Sequence, residues 1–290
     1  MNLTDRFEMP VENLRISVTQ RCNLDCIYCH REGENRSGEE AGIGRICEVV
    51  GCAAKWGVKS VKITGGEPLV RRDIVEIVSR ISATDGIEEV SMTTNGTLLE
   101  KLAWPLFDAG LCRVNIGCDS VSGAMDKNAR GILPGIRAAK KAGLAPIKLN
   151  MVVLKGVNDH EIGEMIEFAR GQGANLQLIE LIPLNKPTYD KYHASLGPVE
   201  EKLKTMAVKA AERKMQNRMQ YHIDGVVVEV VRPGRRFCEG CNKIRLTSDG
   251  KLKPCLMRDD NLVEVNNGKN VQDLFNEAMG RRQPYYPGDS

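Results

Sequence analysis

Three cysteines fall within eight residues, Cys22-x3-Cys26-x2-Cys29, just after the apolar stretch Leu14–Val18. Thiolates at this spacing can hold three corners of a cubane iron-sulfur cluster on one loop, and no fourth ligand stands beside them. One iron would keep an open position, where a chelating small molecule can react in a way that a closed electron-transfer centre does not support. Tyr28, between the last two cysteines, brings an aromatic ring to that corner.

A second set, Cys238-x2-Cys241-x13-Cys255, again offers three thiolates and no fourth cysteine. Structural zinc sites close with four Cys or His ligands. The histidines are His30, His160, His193 and His222, and none stands at zinc-finger or ribbon spacing. Taken alone, this set reads equally as an iron-sulfur cluster or as zinc. Beside the first set, a second cluster with an open iron is the reading that follows. Cys47, Cys52, Cys112 and Cys118 show no ligand spacing and read as small core residues, and His30 reads as loop scaffolding.

Such residues need a scaffold, and the hydrophobic pattern supplies one. Apolar, β-branched segments at 14–18, 58–63, 89–92, 113–116, 147–154 and 176–181 alternate with helical-period stretches at 46–56, 74–81, 98–107, 132–142 and 162–170. Gly57, Gly110, Gly143 and Gly171 stand where helix C-caps belong. Strand-helix alternation predicts an α/β fold with a parallel sheet. About six such units are too few to close an eight-stranded barrel, so an open, partial TIM-type barrel is expected, with its active face at the strand C-terminal ends. The core is expected over residues 1–220, and a small α+β region carrying the second cysteines over 221–290. Residues 183–198 read as a long loop and 199–220 as a charged helix.

Composition narrows the class. At 290 residues the chain can bury one large core with a small appendix. No apolar run reaches membrane-spanning length and no secretory segment opens the chain. Ten cysteines without an export signal argue for a reducing cytoplasm and for metal ligation over disulfides. A net charge of +3 is too small for bulk nucleic-acid binding.

The strand ends carry the remaining chemistry. Thr64-Gly65-Gly66-Glu67-Pro68 would let the amino-acid end of a ligand approach backbone, with Glu67 accepting from an ammonium; the plainer reading is a turn that caps the next helix. Thr93-Thr94-Asn95-Gly96 reads equally as a nucleotide contact or a turn. Arg15, Lys62, Lys148, Lys243 and Arg245 lie in or beside apolar strands, where alternate side chains can converge inside a barrel. Buried cations call for an anion, and a polyphosphate supplies several charges.

The run Leu-Arg-Ile-Ser-Val-Thr-Gln-Arg-Cys-Asn-Leu-Asp-Cys-Ile-Tyr-Cys, with Ile-Thr-Gly-Gly-Glu-Pro-Leu-Val-Arg-Arg-Asp, Thr-Thr-Asn-Gly, Lys-Leu-Asn-Met-Val-Val-Leu-Lys-Gly-Val-Asn-Asp and the second cysteine set, resembles the GTP 3',8-cyclase family. These are radical S-adenosylmethionine enzymes that open molybdenum cofactor biosynthesis. Cys-His-Arg-Glu-Gly-Glu is similar to the archaeal members, and the likeness runs from about Leu14 to Cys255. It implies that Cys22, Cys26 and Cys29 hold a 4Fe-4S cluster whose open iron chelates S-adenosylmethionine, with Tyr28, Gly66, Gly117 and Ile182 contacting that cofactor. Cys238, Cys241 and Cys255 would hold an auxiliary 4Fe-4S cluster facing guanine. Arg15, Lys62, Thr93, Lys148, Lys243 and Arg245 would bind GTP. The implied reaction takes the ribose 3' hydrogen and joins that carbon to guanine C8. It needs an electron donor, and a downstream enzyme that forms the cyclic pyranopterin from the product. No nucleic-acid or membrane partner is implied, and homodimerisation is left open.

Four replacements depart from the family pattern. Gly117 stands where serine is frequent, which removes a hydroxyl. Lys62 and Lys243 stand where arginine is common, which replaces a bidentate fork with a point charge. Ile182 stands where methionine is seen. Many relatives end in Gly-Gly, whereas this sequence ends Pro287-Gly288-Asp289-Ser290, so no step that uses a diglycine tail is carried over. Two alternatives stand beside the resemblance: the same radical chemistry on a peptide or other substrate, or a non-enzymatic protein with zinc in both cysteine sets.

Overall fold

The computed structural model describes Thr4 and residues 10–34, 39–265 and 270–283. The expectations for Pro287 to Ser290 lie outside the described residues. Six strands form where apolar, β-branched segments predict them: β1 (Asn13–Ser17), β2 (Ser60–Thr64), β3 (Glu89–Thr94), β4 (Arg113–Gly117), β5 (Lys148–Val153) and β6 (Asn175–Glu180). Each pairs in parallel with the next. The connecting helices are α1 (Ile43–Lys55), α2 (Ile74–Ser82), α3 (Leu99–Asp108), α4 (Ala129–Ala142) and α5 (Ile162–Gly171). Gly143 ends α4 at φ +92, a conformation that favours glycine. The expected cap at Gly171 is displaced: α5 runs through it, and Gly173 takes the left-handed backbone instead.

After β6 come α6 (Lys186–Tyr192), α7 (Gly197–Met206), β7 (Lys209–Arg213), β8 (Arg218–Ile223), β9 (Val226–Val231), α8 (Arg235–Glu239), β10 (Lys243–Leu246), β11 (Leu252–Lys253) and α9 (Val271–Gly280). All described strands join one open sheet in the order β11-β10-β1-β2-β3-β4-β5-β6-β9-β8-β7. β10 and β9 continue the parallel set at its two ends, and antiparallel partners lie outside them. The partial barrel therefore borrows a parallel strand at each side from the C-terminal region. The expected domain boundary at residue 220 falls inside β8.

Two expectations are corrected here. The stretch 183–198 contains α6, whose Asn185 side chain accepts from Thr188 N at its start. The charged helix expected over 199–220 stops at Met206, and the chain then turns into the β7–β8 hairpin. Lys-Ala-Ala-Glu-Arg favours a helix locally, but β7 pairs along its whole length with β8 at the sheet edge, and tertiary pairing overrides that weak preference. Of the four cysteines expected in the core, Cys118 is buried, Cys47 and Cys52 are partly buried, and Cys112 is exposed.

The strands explain how one chain builds both a core and a cation-lined chamber. A parallel sheet packed on both faces reads as continuously apolar; here most alternate residues are polar, with Gly117, Val152 and Ile179 the exceptions at the ends of β4, β5 and β6. Leu14, Ile16, Val61, Ile63, Val114, Ile116, Leu149, Met151, Leu176 and Leu178 are fully buried and share one apolar cluster with the buried faces of α1 to α5. The alternate positions Arg15, Lys62, Asn115, Lys148 and Gln177 line a cavity on the other face. Among the described residues, no helix is long and apolar enough to cross a membrane.

Candidate active site

A cavity of about 800 Å³ runs through the barrel, and the sixteen ligand and contact residues that the family resemblance assigns all line it. The six triad cysteines, Tyr28, Gly66, Gly117, Ile182, Arg15, Lys62, Thr93, Lys148, Lys243 and Arg245 are thus brought together from nearly the whole chain. Strand register fixes the arrangement. Arg15 on β1 lies between Arg245 on β10 and Lys62 on β2, and Lys62 is level with Ser91 on β3. One pleat further along, Thr93, Asn115 and Lys148 form a second row. Neighbouring strands lie about 4.8 Å apart, so the cations stand close enough to repel one another.

Burial, with that repulsion added to it, lowers Arg15, Lys62 and Lys243. Burial lowers the Arg15 guanidinium to about 10, with Arg245 and Arg218 adding to the shift and Glu32 opposing it. Burial first, then Arg113 and Arg15, hold the Lys62 ammonium well below its ordinary range; burial, Arg218 and Arg15 do the same to Lys243. A site that lowers its own cations in this way gains by accepting an anion. Unpaired donors support this: Arg15 Nε, Arg218 Nε and Thr93 Oγ1 are buried without hydrogen-bond partners, and all three residues line the cavity.

Two carboxylates hold the cations in place. Glu32, in the loop after Cys29, accepts from Arg245 at 2.6 Å and Thr64 at 2.9 Å and lies 3.8 Å from Arg15. Burial would raise its carboxyl, but Arg15 and Arg245 prevail and bring it down to about 2. Glu229 on β9 accepts from Lys148 at 2.8 Å, Arg218 at 2.9 Å, Gln177 at 2.5 Å and Gln220 at 3.0 Å, with Arg213 at 3.3 Å. Sequence patterning missed Glu32, Glu229, Arg213 and Arg218. The last two lie in the segment read as a helix, and no local signal marks the two glutamates.

The triads sit towards opposite ends of β1. Cys22 lies beyond its last residue, Ser17, while Cys241 stands two residues before Lys243, which pairs with Asn13 at its start. β11 runs antiparallel to β10 and returns Cys255 towards Cys241. Each Cys-x2-Cys step is the same tight turn: Cys29 N donates to Cys26 O at 3.0 Å, and Cys241 N to Cys238 O at 3.1 Å. All ten cysteines are free thiols. Two three-thiolate sets that face one cavity have the donor chemistry for 4Fe-4S clusters that each keep an open iron. Among the described residues, no three ligating side chains converge on a point where a single metal ion would sit.

The first loop is pinned from below. Gly66 N donates to Thr19 O at 2.7 Å and Glu67 N to Arg21 O at 2.9 Å. A Cβ on Gly66 would lie 2.3 Å from Arg21 O, so only glycine permits this approach. Glu67 departs from its expected role as an ammonium acceptor. It is fully buried and accepts from Leu69 N at 3.0 Å, Thr94 Oγ1 at 2.7 Å and Asn95 N at 2.6 Å, stitching two loops together. Asn95 in turn donates to Asn23 in the cysteine loop at 2.8 Å. Thr94 and Asn95 thus make a turn, while the Thr93 hydroxyl is left facing the cavity. At the other side Tyr28 donates its hydroxyl to Asp119 and accepts from Lys127 Nζ at 2.8 Å.

Comparison with known proteins places the sequence in a family. A family model described as Radical SAM superfamily matches residues 16–169, and one described as Molybdenum Cofactor Synthesis C matches residues 174–287. A "Probable GTP 3',8-cyclase" of Methanothermobacter marburgensis is 47% identical, over 99% of each chain. One of Archaeoglobus fulgidus is 42% identical over 99% of this chain and 100% of its own. Among solved structures, Streptococcus suis SuiB bound to precursor peptide SuiA superposes with a TM-score of 0.70 at 17% identity, over 92% of this chain; the chain spans only 65% of SuiB. Native anSMEcpe with bound AdoMet and Cp18Cys peptide gives a TM-score of 0.60 at 18% identity, over 93% of this chain and 80% of that one. At these identities the structural likeness establishes the fold alone.

Proposed function

This chain belongs to the GTP 3',8-cyclase family of radical S-adenosylmethionine enzymes, and from that premise we propose that its cavity takes S-adenosylmethionine at one end and GTP at the other. The family's reaction converts GTP to (8S)-3',8-cyclo-7,8-dihydroguanosine 5'-triphosphate in molybdenum cofactor biosynthesis. When bound, a 4Fe-4S cluster at Cys22, Cys26 and Cys29 and its S-adenosylmethionine supply the hydrogen-abstracting radical chemistry of the superfamily.

The protein's own share is binding, orientation and exclusion of solvent. Arg245, Arg15 and Lys62, side by side in register, hold the triphosphate with Lys243 and Lys148 beside them. Thr93 offers a hydroxyl with no other buried partner. Cys238, Cys241 and Cys255 would hold a second 4Fe-4S cluster, which would supply an open iron for the guanine while the cations fix the phosphates. Tyr28, Gly66, Gly117 and Ile182, all at or beyond strand C-terminal ends, form the wall against S-adenosylmethionine. The reductant reaches the first triad from solvent, where Cys22 and Cys29 are exposed. The product passes to an enzyme that forms the cyclic pyranopterin.

The observation that carries this reading is the convergence of both triads and the cation row on one chamber. Its test is anaerobic turnover of the reconstituted protein with GTP, S-adenosylmethionine and reductant. Equal amounts of 5'-deoxyadenosine and cyclised nucleotide are expected. Formation of 5'-deoxyadenosine with GTP left intact would overturn the assignment of substrate.

A further inference from the structure

The turn between β7 and β8 holds two consecutive non-glycine residues in left-handed backbone, Gln216 at φ +61 and Asn217 at φ +48. Such residues rarely adopt this region, and it persists only where neighbours enforce it. Here the neighbours belong to the second triad's own segment. Gln216 N donates to Gly240 O at 2.6 Å, and the Asn217 side chain donates to Arg236 O at 2.7 Å. A Cβ built on Gly240 would lie 2.8 Å from Asn217 N, so the residue before Cys241 must be bare for the two turns to meet. This backbone buries the Gln216 side chain beside Cys241, Lys243 and Arg218, and all four residues line the cavity. Gln216 Oε1 accepts from Lys243 Nζ at 2.7 Å and from the Arg218 guanidinium, while Nε2 donates to Cys241 Sγ at 3.9 Å. Chemistry fixes the orientation of the amide. Lysine and arginine only donate, so the oxygen faces them and the nitrogen faces the sulfur.

We propose that Gln216 is a positioning residue for the second triad: its oxygen anchors the Lys243 and Arg218 cations, and its nitrogen donates to the Cys241 sulfur, which makes a cluster held there easier to reduce. This role rests on the reading that Cys238, Cys241 and Cys255 hold a 4Fe-4S cluster. Hydrogen bonds to ligand sulfurs are among the levers that set a cluster's potential. A sulfur that gains electron density on reduction accepts such a bond more strongly, so the donor favours the reduced state. A glutamate would suit the two cations, but it has no donor for the sulfur and would bring a second negative charge to it. An amide meets both demands at once. The first triad lies towards the other end of β1 and serves as the internal control.

Redox titration of the reconstituted protein without GTP separates this role from a structural one. Electron paramagnetic resonance follows both clusters, Cys26→Ala protein assigns the signal of the second, and iron content is measured on every sample. Gln216→Met keeps the length of the side chain without its donor. It is expected to make reduction of the second cluster about tenfold less favourable, a shift of about 59 mV to more negative potential for one electron. The first cluster should not move. Gln216→Glu, which keeps the acceptor and loses the donor, should shift the second cluster in the same direction. Gln216→Gly takes the left-handed backbone without strain; it should reproduce the methionine result and supplies the test if Gln216→Met fails to hold iron. An unchanged second potential in variants with full iron, or equal shifts at both clusters, overturns the proposal. Wild-type protein that stops at about four irons per chain, with the signal of the first triad alone, overturns the cluster reading beneath it.

Discussion

The two cysteine triads present equal numbers of thiols to one chamber through the same turn, yet their electrostatic settings differ at one cysteine. Around the first, burial pushes the Cys26 thiol up to about 11, with Lys127 the cation opposing that shift. Around the second, burial likewise raises the Cys255 thiol, but at Cys241 the neighbouring Arg282, Lys243 and Arg245 prevail over burial and hold the thiol below its ordinary value. The first triad is carried by one continuous loop. The second is assembled from α8, the turn before β10 and the return after β11. A single loop beside Lys127 suits a zwitterionic amino acid that chelates iron. An assembled site at the foot of a cation row suits a polyanion whose far end must be held at a set distance. Equal ligand counts therefore do not mean equal tasks; the neighbours assign them.

The strongest way to break this contrast is to remove thiols from one side at a time. Cys26→Ala should abolish 5'-deoxyadenosine formation altogether. Cys241→Ala should leave cleavage of S-adenosylmethionine detectable but yield no cyclised nucleotide. Iron should fall from about eight to about four atoms per chain in each variant. Identical phenotypes for the two, read by product analysis, would erase the division of labour.

Next in size is the cation row. Arg245→Ala should weaken GTP by about 2–5 kcal/mol, as expected when one partner of a buried charge pair is truncated. Affinity for S-adenosylmethionine should hardly change. Dialysis with each ligand checks this, and a parallel loss of both would show that the ends of the cavity are not independent.

Glu32 ties the first loop to that row and gives a sharper, smaller effect. Its carboxyl lies at about 2 rather than near 4.5. Its contribution to stability is therefore fully present above the unfolded value and lost as pH falls through the folded one. Wild-type protein should lose up to about 3 kcal/mol of stability between roughly pH 4.5 and 2 from this group. Glu32→Gln should lack that component in denaturant titrations across the interval; an unchanged acid profile would contradict the pairing with Arg15 and Arg245.

The smallest effect is expected away from both triads. Cys112 is exposed, and Cys112→Ser should leave iron content unchanged and shift stability by less than about 0.5 kcal/mol. A fall in iron would mean that the ligand sets extend beyond the six cysteines.

Much of this was legible in the chain. Leu14–Val18, Ile147–Leu154 and the other β-branched segments were strands because period-two burial was written into them, and that period carried Arg15, Lys62 and Lys148 inwards. The cysteine spacings survived because they are local turns. What escaped depends on distant pairing. Lys209–Arg213 has the composition of a helix, and only β8 makes it a strand. Glu32 meets Arg245 across 213 residues and Glu229 meets Lys148 across 81, and nothing in either neighbourhood announces the partner. Glu67 was misread for a related reason: the loop donors that occupy it lie partly on another strand end, at Thr94 and Asn95.

Turnover of GTP carrying deuterium at ribose C3' probes most directly whether one chamber joins both triads. Recovery of that deuterium in 5'-deoxyadenosine, matched mole for mole by the cyclised nucleotide, is the result expected if the two ends meet over the ribose. Unlabelled 5'-deoxyadenosine beside unchanged GTP would place the radical and the nucleotide apart and contradict it.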